Sequence, residues 1–254
     1  MSPNRLLPIA LAIIILPACS TVKSKLESKP AQPSGFLDQS HQMQTMGPRS
    51  PFLRTWTNPK REERALSAAN TEIYIAPVDT KDLRPIGKKM AARQYQRWDR
   101  ERPVREIAQK MRDEFARTFR DSPRPRYRLV DRPSPQSVTL QLSLVELDPT
   151  STTGNAARKG ASLAVGPIAG LAGIFTAGAI AVEGRLIDSS KGWSIFEFAD
   201  REKDKMTFWN LRDFKAYGHG EVAIKEWAGQ FEETTRNPNW KDMGDARIWT
   251  LWPW

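Results

Sequence analysis

Ile180–Asp188 reads IAVEGRLID and Trp193–Ala199 reads WSIFEFA, with Ser189-Ser190-Lys191-Gly192 between them. Two runs rich in Ile, Val, Leu and Phe around a short polar stretch ending in Gly predict a β-hairpin. Upstream, Val138, Leu140, Leu142 and Leu144 alternate with Thr139, Gln141 and Ser143, the pattern of a half-buried strand. Leu147 falls out of phase with them, which predicts a bulge near Val145. Glu72–Val78 (EIYIAPV) is β-rich and stops at Pro77, where a ladder would lose a donor. Tyr127–Val130 is a short strand candidate between prolines.

Helical spacing appears twice. Val104, Ile107, Ala108, Met111, Phe115 and Phe119 share one face, with Pro103 suited to a first turn. Ile224, Trp227, Ala228 and Phe231 do the same in a helix starting after Gly220. The order is strand, helix, short strand, long strand, hairpin, helix. It predicts an α+β domain over residues 71–236: a mixed β-sheet of about four to five strands with two main helices packed on one face. No unit repeats at a fixed period, which argues against a solenoid.

The N-terminus carries an address. Arg5 precedes an apolar run, Leu6–Leu16, too short to span a bilayer, so residues 1–18 read as a signal peptide. Leu16-Pro17-Ala18-Cys19 resembles the box cut by the lipoprotein signal peptidase, and in such proteins the Cys carries the acyl chains. Several acyl chains make a stable anchor where one would be marginal. Ser20, in place of the Asp that marks inner-membrane retention, points to the outer membrane, facing the periplasm. Residues 19–35 then form a polar, Pro-containing tether. Residues 36–70 place Phe36, Leu37, Phe52, Leu53 and Trp56 among Pro and Gly. Such side chains predict an extended strap packed on the domain.

Ser34-Gly35-Phe36-Leu37, Ala76-Pro77-Val78, the hairpin VEGRLIDSSKGWSIFEFADR (182–201) and the closing EWAGQF (226–231) resemble landmarks of one family. It is the bacterial lipoprotein family catalogued as domain of unknown function 3313, and the resemblance spans about residues 34–235. It implies an envelope lipoprotein and brings no catalytic residues. The Trp-rich tail, residues 237–254, lies outside the pattern.

Charge is concentrated. The chain holds 39 Lys+Arg against 29 Asp+Glu, and residues 84–132 alone hold 16 against 7. Arg84, Lys88, Lys89, Arg93, Arg97, Arg124, Arg126 and Arg128 are the anion-binding candidates. In the periplasm their partners would be phosphates of anionic lipid or lipopolysaccharide, not nucleic acid. Residues 160–182 form a 23-residue uncharged Gly/Ala-rich insert between strands. Gly166, Gly170 and Gly173 would allow close packing, as in GxxxG pairs. Trp240, Trp249, Trp252 and Trp254 give the tail an interfacial character.

Chemistry is sparse. One Cys rules out an internal disulfide and a thiolate zinc cluster. His41 lies in the strap and His219 stands between glycines, so neither marks a triad. The Gly-rich 154–178 lacks the ending of a phosphate loop. The expectation is therefore a binding or assembly module of the cell envelope with no catalytic residue, no cofactor and no metal. Its partners would be the membrane, through Cys19, and envelope proteins. Two alternatives stand beside it: a periplasmic hydrolase, and an oligomeric membrane-associated component built on the 160–182 insert.

Overall fold

Val138, Leu140, Leu142 and Leu144 are all buried on one face of the longest strand, β5 (Ser137–Asp148). In the computed structural model, residues 29–47, 50–59, 70–84, 101–148, 179–203, 206–207, 218–237 and 249–250 are described. The order before β5 is β1 (Gln44–Thr45), β2 (Arg54–Thr57), β3 (Glu72–Ile75), helix α1 (Glu101–Asp121) and β4 (Arg128–Val130). After it come β6 (Ala179–Asp188), β7 (Ser194–Lys203), β8 (Met206–Thr207), helix α2 (Gly218–Arg236) and β9 (Trp249–Thr250).

The main sheet has seven strands in the order β1-β2-β7-β6-β5-β3-β4. β3 lies parallel to both β4 and β5, and α1 provides the crossover that a parallel pair requires. The other pairs are antiparallel. The mixed α+β class is as expected, but four to five strands was too few. The extra ladder comes from the strap: β2 pairs with β7, and β1 with β2. Strands of two and four residues are too short to show alternation, and β7 supplies the edge that makes them strands.

The expected bulge is present, with the β5–β6 register shifting between Leu144 and Glu146. The extra residue returns Leu147 to the buried face. The hairpin turns through Gly192 at φ +74°, a conformation glycine adopts without strain. Asp188 Oδ1 closes the turn by accepting from the Ser190 N–H (2.9 Å) and hydroxyl (2.6 Å).

Both helices lie on one face. α1 buries Val104, Ile107, Ala108, Met111, Phe115 and Phe119, the set its spacing predicts. α2 buries Ala223, Ile224, Trp227, Ala228 and Phe231, and starts at Gly218 rather than after Gly220. Phe231 meets Phe115 at 6.0 Å, Phe119 at 6.1 Å and Phe198 of β7 at 5.4 Å between ring centroids. Phe52, from the strap, stacks on Phe198 at 4.4 Å. Each such fully buried side chain stabilises the fold by about 1.5–3 kcal/mol over its exposed state. Strap, sheet and both helices thus share one core. β8 and β9 form a separate parallel pair, so the backbone of the tail at 249–250 returns to 206–207.

Candidate functional site

The second face of the sheet is polar by alternation. On β6, Val182 and Leu186 point to the helices, so Glu183 and Arg185 point away from them. On β7, Phe196 and Phe198 face the helices and Glu197 faces away. Glu183 and Glu197 are nevertheless buried, because the strap lies over them.

Carboxylates hold the strap there. Glu183 accepts from the Ser34 N–H (3.0 Å) and the Ser34 hydroxyl (2.6 Å). Glu197 Oε2 accepts from the Gln39 N–H at 2.9 Å. Asp200, on the helix side, accepts from the Leu53 N–H at 3.1 Å and from Trp227 Nε1–H at 2.6 Å. Arg185 donates from Nη1 to Asp38 (2.9 Å) and from Nε to Gln141 (2.8 Å). Its guanidinium also lies 4.8 Å from the Phe36 ring centroid. Leu37, Met43 and Ala199 complete a small apolar cluster beneath the strap.

Glu197 is the uneasy member of this set. Burial pushes its carboxyl above the usual range, and neighbouring Asp38 adds to that. The Gln39 N–H and Arg185 oppose the shift. Its Oε1 has no hydrogen-bond partner among the described residues, nor does the buried Ser194 hydroxyl. A raised folded-state pKa means the ionised form penalises the folded state at neutral pH. That penalty is relieved as pH falls through the raised value. Glu197→Gln is therefore expected to stabilise the domain by on the order of 1 kcal/mol at neutral pH, its amide donating to Ser194 Oγ. The advantage over wild type should shrink toward mildly acid pH in parallel thermal melts. Equal melting temperatures throughout would show that Glu197 carries no buried charge. Asp188 behaves oppositely: burial alone would raise it, but bonds from Ser190 and Asn70 and the nearby Lys191 hold it below the usual range.

Beside the strap a groove of about 540 Å³ opens. Gly35, Phe36 and Asp38 form one wall, Ala76, Pro77 and Asp79 the other, and Gln141, Leu142 and Arg185 the floor. The second wall follows from Pro77. Ala76 and Asp79 donate to the carbonyls of Leu140 and Leu142, whereas Pro77 has no N–H to give.

Of the basic candidates among the described residues, Arg84 lies apart from Arg124, Arg126 and Arg128. Arg84 sits at the C-terminal end of β5, its N–H on the Val145 carbonyl at 3.1 Å. Its guanidinium donates to the Gln32 carbonyl and faces Glu146 at 3.8 Å, and Glu146 also binds Arg201 through both oxygens. Arg128 pairs with Glu72, which is level with Ser137 at the other end of β5. At about 3.3 Å per residue, Val145 and Ser137 are roughly 26 Å apart along the strand. Arg126 donates to the Asn70 carbonyl at 3.5 Å and lies 5.0 Å from the Tyr127 ring centroid. Arg124 is exposed and makes no ion pair among the described residues. Lys88, Lys89, Arg93, Arg97, Cys19, Gly166, Gly170 and Gly173 lie outside the described residues. His41 is exposed, and His219 stands in the first turn of α2.

The groove residues Asp38, Asp79, Gln141 and Arg185 were not anticipated as a site. The available signal was the alternation itself, which gives β5 and β6 a polar second face. Among the described residues no group of three or more His, Cys, Asp or Glu is arranged to hold a metal, and no helix is long and apolar enough to cross a membrane.

No curated protein matches the chain significantly. Among solved structures, it is similar to the PelC dodecamer from Paraburkholderia phytofirmans, at 11% identity and a TM-score of 0.37, covering 70% of this chain and 95% of that one. A point variant of that dodecamer gives the same identity and TM-score over 69% of this chain. A family model, described as protein of unknown function (DUF3313), matches residues 32–231. That span runs from the last residues of the tether to Phe231 of α2 and takes in every residue of the groove, so the chain belongs to this family of unknown function.

Proposed function

We propose that the chain is a lipid-anchored module of the bacterial envelope that binds or assembles rather than catalyses. The observation that carries this reading is the employment of the domain's buried carboxylates. Glu183 and Glu197 hold main-chain N–H groups of the strap, Asp200 joins strap to α2, and Asp188 closes a turn. Acids so engaged fasten the chain and are poorly placed for general acid–base work, which needs a group within reach of a substrate proton. The clasp reaches back to Ser34, near the end of the 19–35 tether, so pull from the residues before it would be borne by the sheet. This suits a protein held by Cys19 at the outer membrane and facing the periplasm. Arg124, Arg126 and Arg128 cluster in one loop and its strand, where phosphates of lipid or lipopolysaccharide would find guanidinium donors.

The anchor is tested with Cys19→Ser. The variant is expected to lose incorporation of labelled palmitate and to vanish from the outer-membrane fraction on density separation. Undiminished label in the variant would refute the lipoprotein reading.

A further inference from the structure

We propose that the groove between the strap and residues 76–79 is a binding site for an uncharged saccharide. The inference rests on the reading of the chain as a binding module, and is independent of the anchor. About 540 Å³ falls within the roughly 300–1,000 Å³ range of small-ligand sites.

Charge decides the ligand class. Asp38 is neutralised by Arg185 at 2.9 Å, and Asp79 faces Lys81 at 3.6 Å. With the exposed Lys81 counted, which stands beside the groove and does not line it, the formal charges cancel, so the site matches neither a phosphate nor a polyamine. What remains is hydrogen-bonding capacity. Asp38 uses Oδ1 for Arg185, and Asp79 uses Oδ1 for the Lys81 N–H at 2.8 Å. Gln141 uses only its carbonyl oxygen, toward Arg185 Nε. Asp38 thus keeps its second carboxylate oxygen for the groove and Gln141 its amide N–H groups, while Asp79 Oδ2 is held only loosely, 3.6 Å from Lys81 Nζ.

Planar acceptors and a planar donor lining one groove suit hydroxyls, each of which can both donate and accept. Phe36, Ala76 and Pro77 supply apolar surface for the C–H side of a sugar ring, the Leu142 side chain being buried in the core on the other face. A peptide added as a strand would need a free sheet edge, but the floor comes from β5 and β6, which are interior strands.

The test uses the full-length chain, extracted in a detergent without a sugar headgroup and titrated calorimetrically with maltotriose and with the N-acetylglucosamine trimer. Binding of at least one is expected. Gln141→Glu retains the acceptor for Arg185 and removes the donor, so it should weaken that binding about 3- to 10-fold, the worth of one hydrogen bond. Asp79→Asn should weaken it by a similar factor, and Gln109→Ala on the opposite face should leave it unchanged. No binding of either trisaccharide at millimolar concentration would overturn the proposal. So would undiminished affinity in both groove variants, or groove-dependent binding of inorganic phosphate or spermidine in place of the sugars. None of these outcomes bears on the acylation of Cys19, so the two readings fail separately.

Discussion

Asp200→Ala is expected to destabilise the domain by roughly 2–6 kcal/mol, because it orphans two buried donors at about 1–3 kcal/mol each. The Leu53 N–H of the strap and the Trp227 indole N–H of α2 converge on this one carboxylate, which is only 3% exposed. The loss is a large share of a total stability that for a single domain is about 5–15 kcal/mol. Asp200→Asn separates the bonds from the packing. Its amide keeps one acceptor and presents N–H groups to the other donor, so it should fall between Ala and wild type. Urea titration followed by tryptophan fluorescence would report both, since Trp227 is itself buried. A midpoint for Asp200→Ala indistinguishable from wild type would show that neither bond contributes.

What could be read in advance follows from periodicity. The α1 face, Val104 to Phe119, and the β5 face, Val138 to Leu144, are long enough for one residue set to satisfy only one period. The bulge was legible because Leu147 breaks phase while still apolar. The strap was legible as packed, from Phe52 and Trp56, but not as strands. Its pairing depends on the free edge of β7, which is an outcome of folding and has no local signal. The same holds for the groove. Asp38, Asp79, Gln141 and Arg185 are spread over some 150 residues, and only the sheet register and the clasped strap bring them together. For the basic residues, sequence proximity and spatial proximity part ways. They are dense in sequence between 84 and 132, yet β5 holds Arg84 and Arg128 at opposite ends.

Gly184→Ala should be among the most damaging single substitutions in the domain, though it adds one methyl group. On the helix-facing side of β6, a Cβ at this position would stand 2.3 Å from two ring carbons of Phe198 and 3.1 Å from Leu142 Cδ2. In most strands the exchange of Gly for Ala gains about 0.5–1 kcal/mol from lost unfolded-state freedom. Here sterics win, because the Phe198 ring cannot retreat. It is fully buried and sits among Phe52 at 4.4 Å, Phe231 at 5.4 Å and Phe196 at 6.1 Å. Overpacking a core of this kind costs about 1–3 kcal/mol and at times more. The strain should reach the strap through Phe52 and α2 through Phe231, so melting remains cooperative but occurs earlier. A double-mutant cycle isolates the cause. Phe198→Leu alone removes volume and destabilises, but combined with Gly184→Ala it vacates the space the new methyl needs. The double variant should therefore be more stable than the sum of the two single losses predicts, by on the order of 1–2 kcal/mol. Strict additivity, or a Gly184→Ala variant that melts at or above wild type, would show that the Phe198 ring does not lie over the Gly184 backbone.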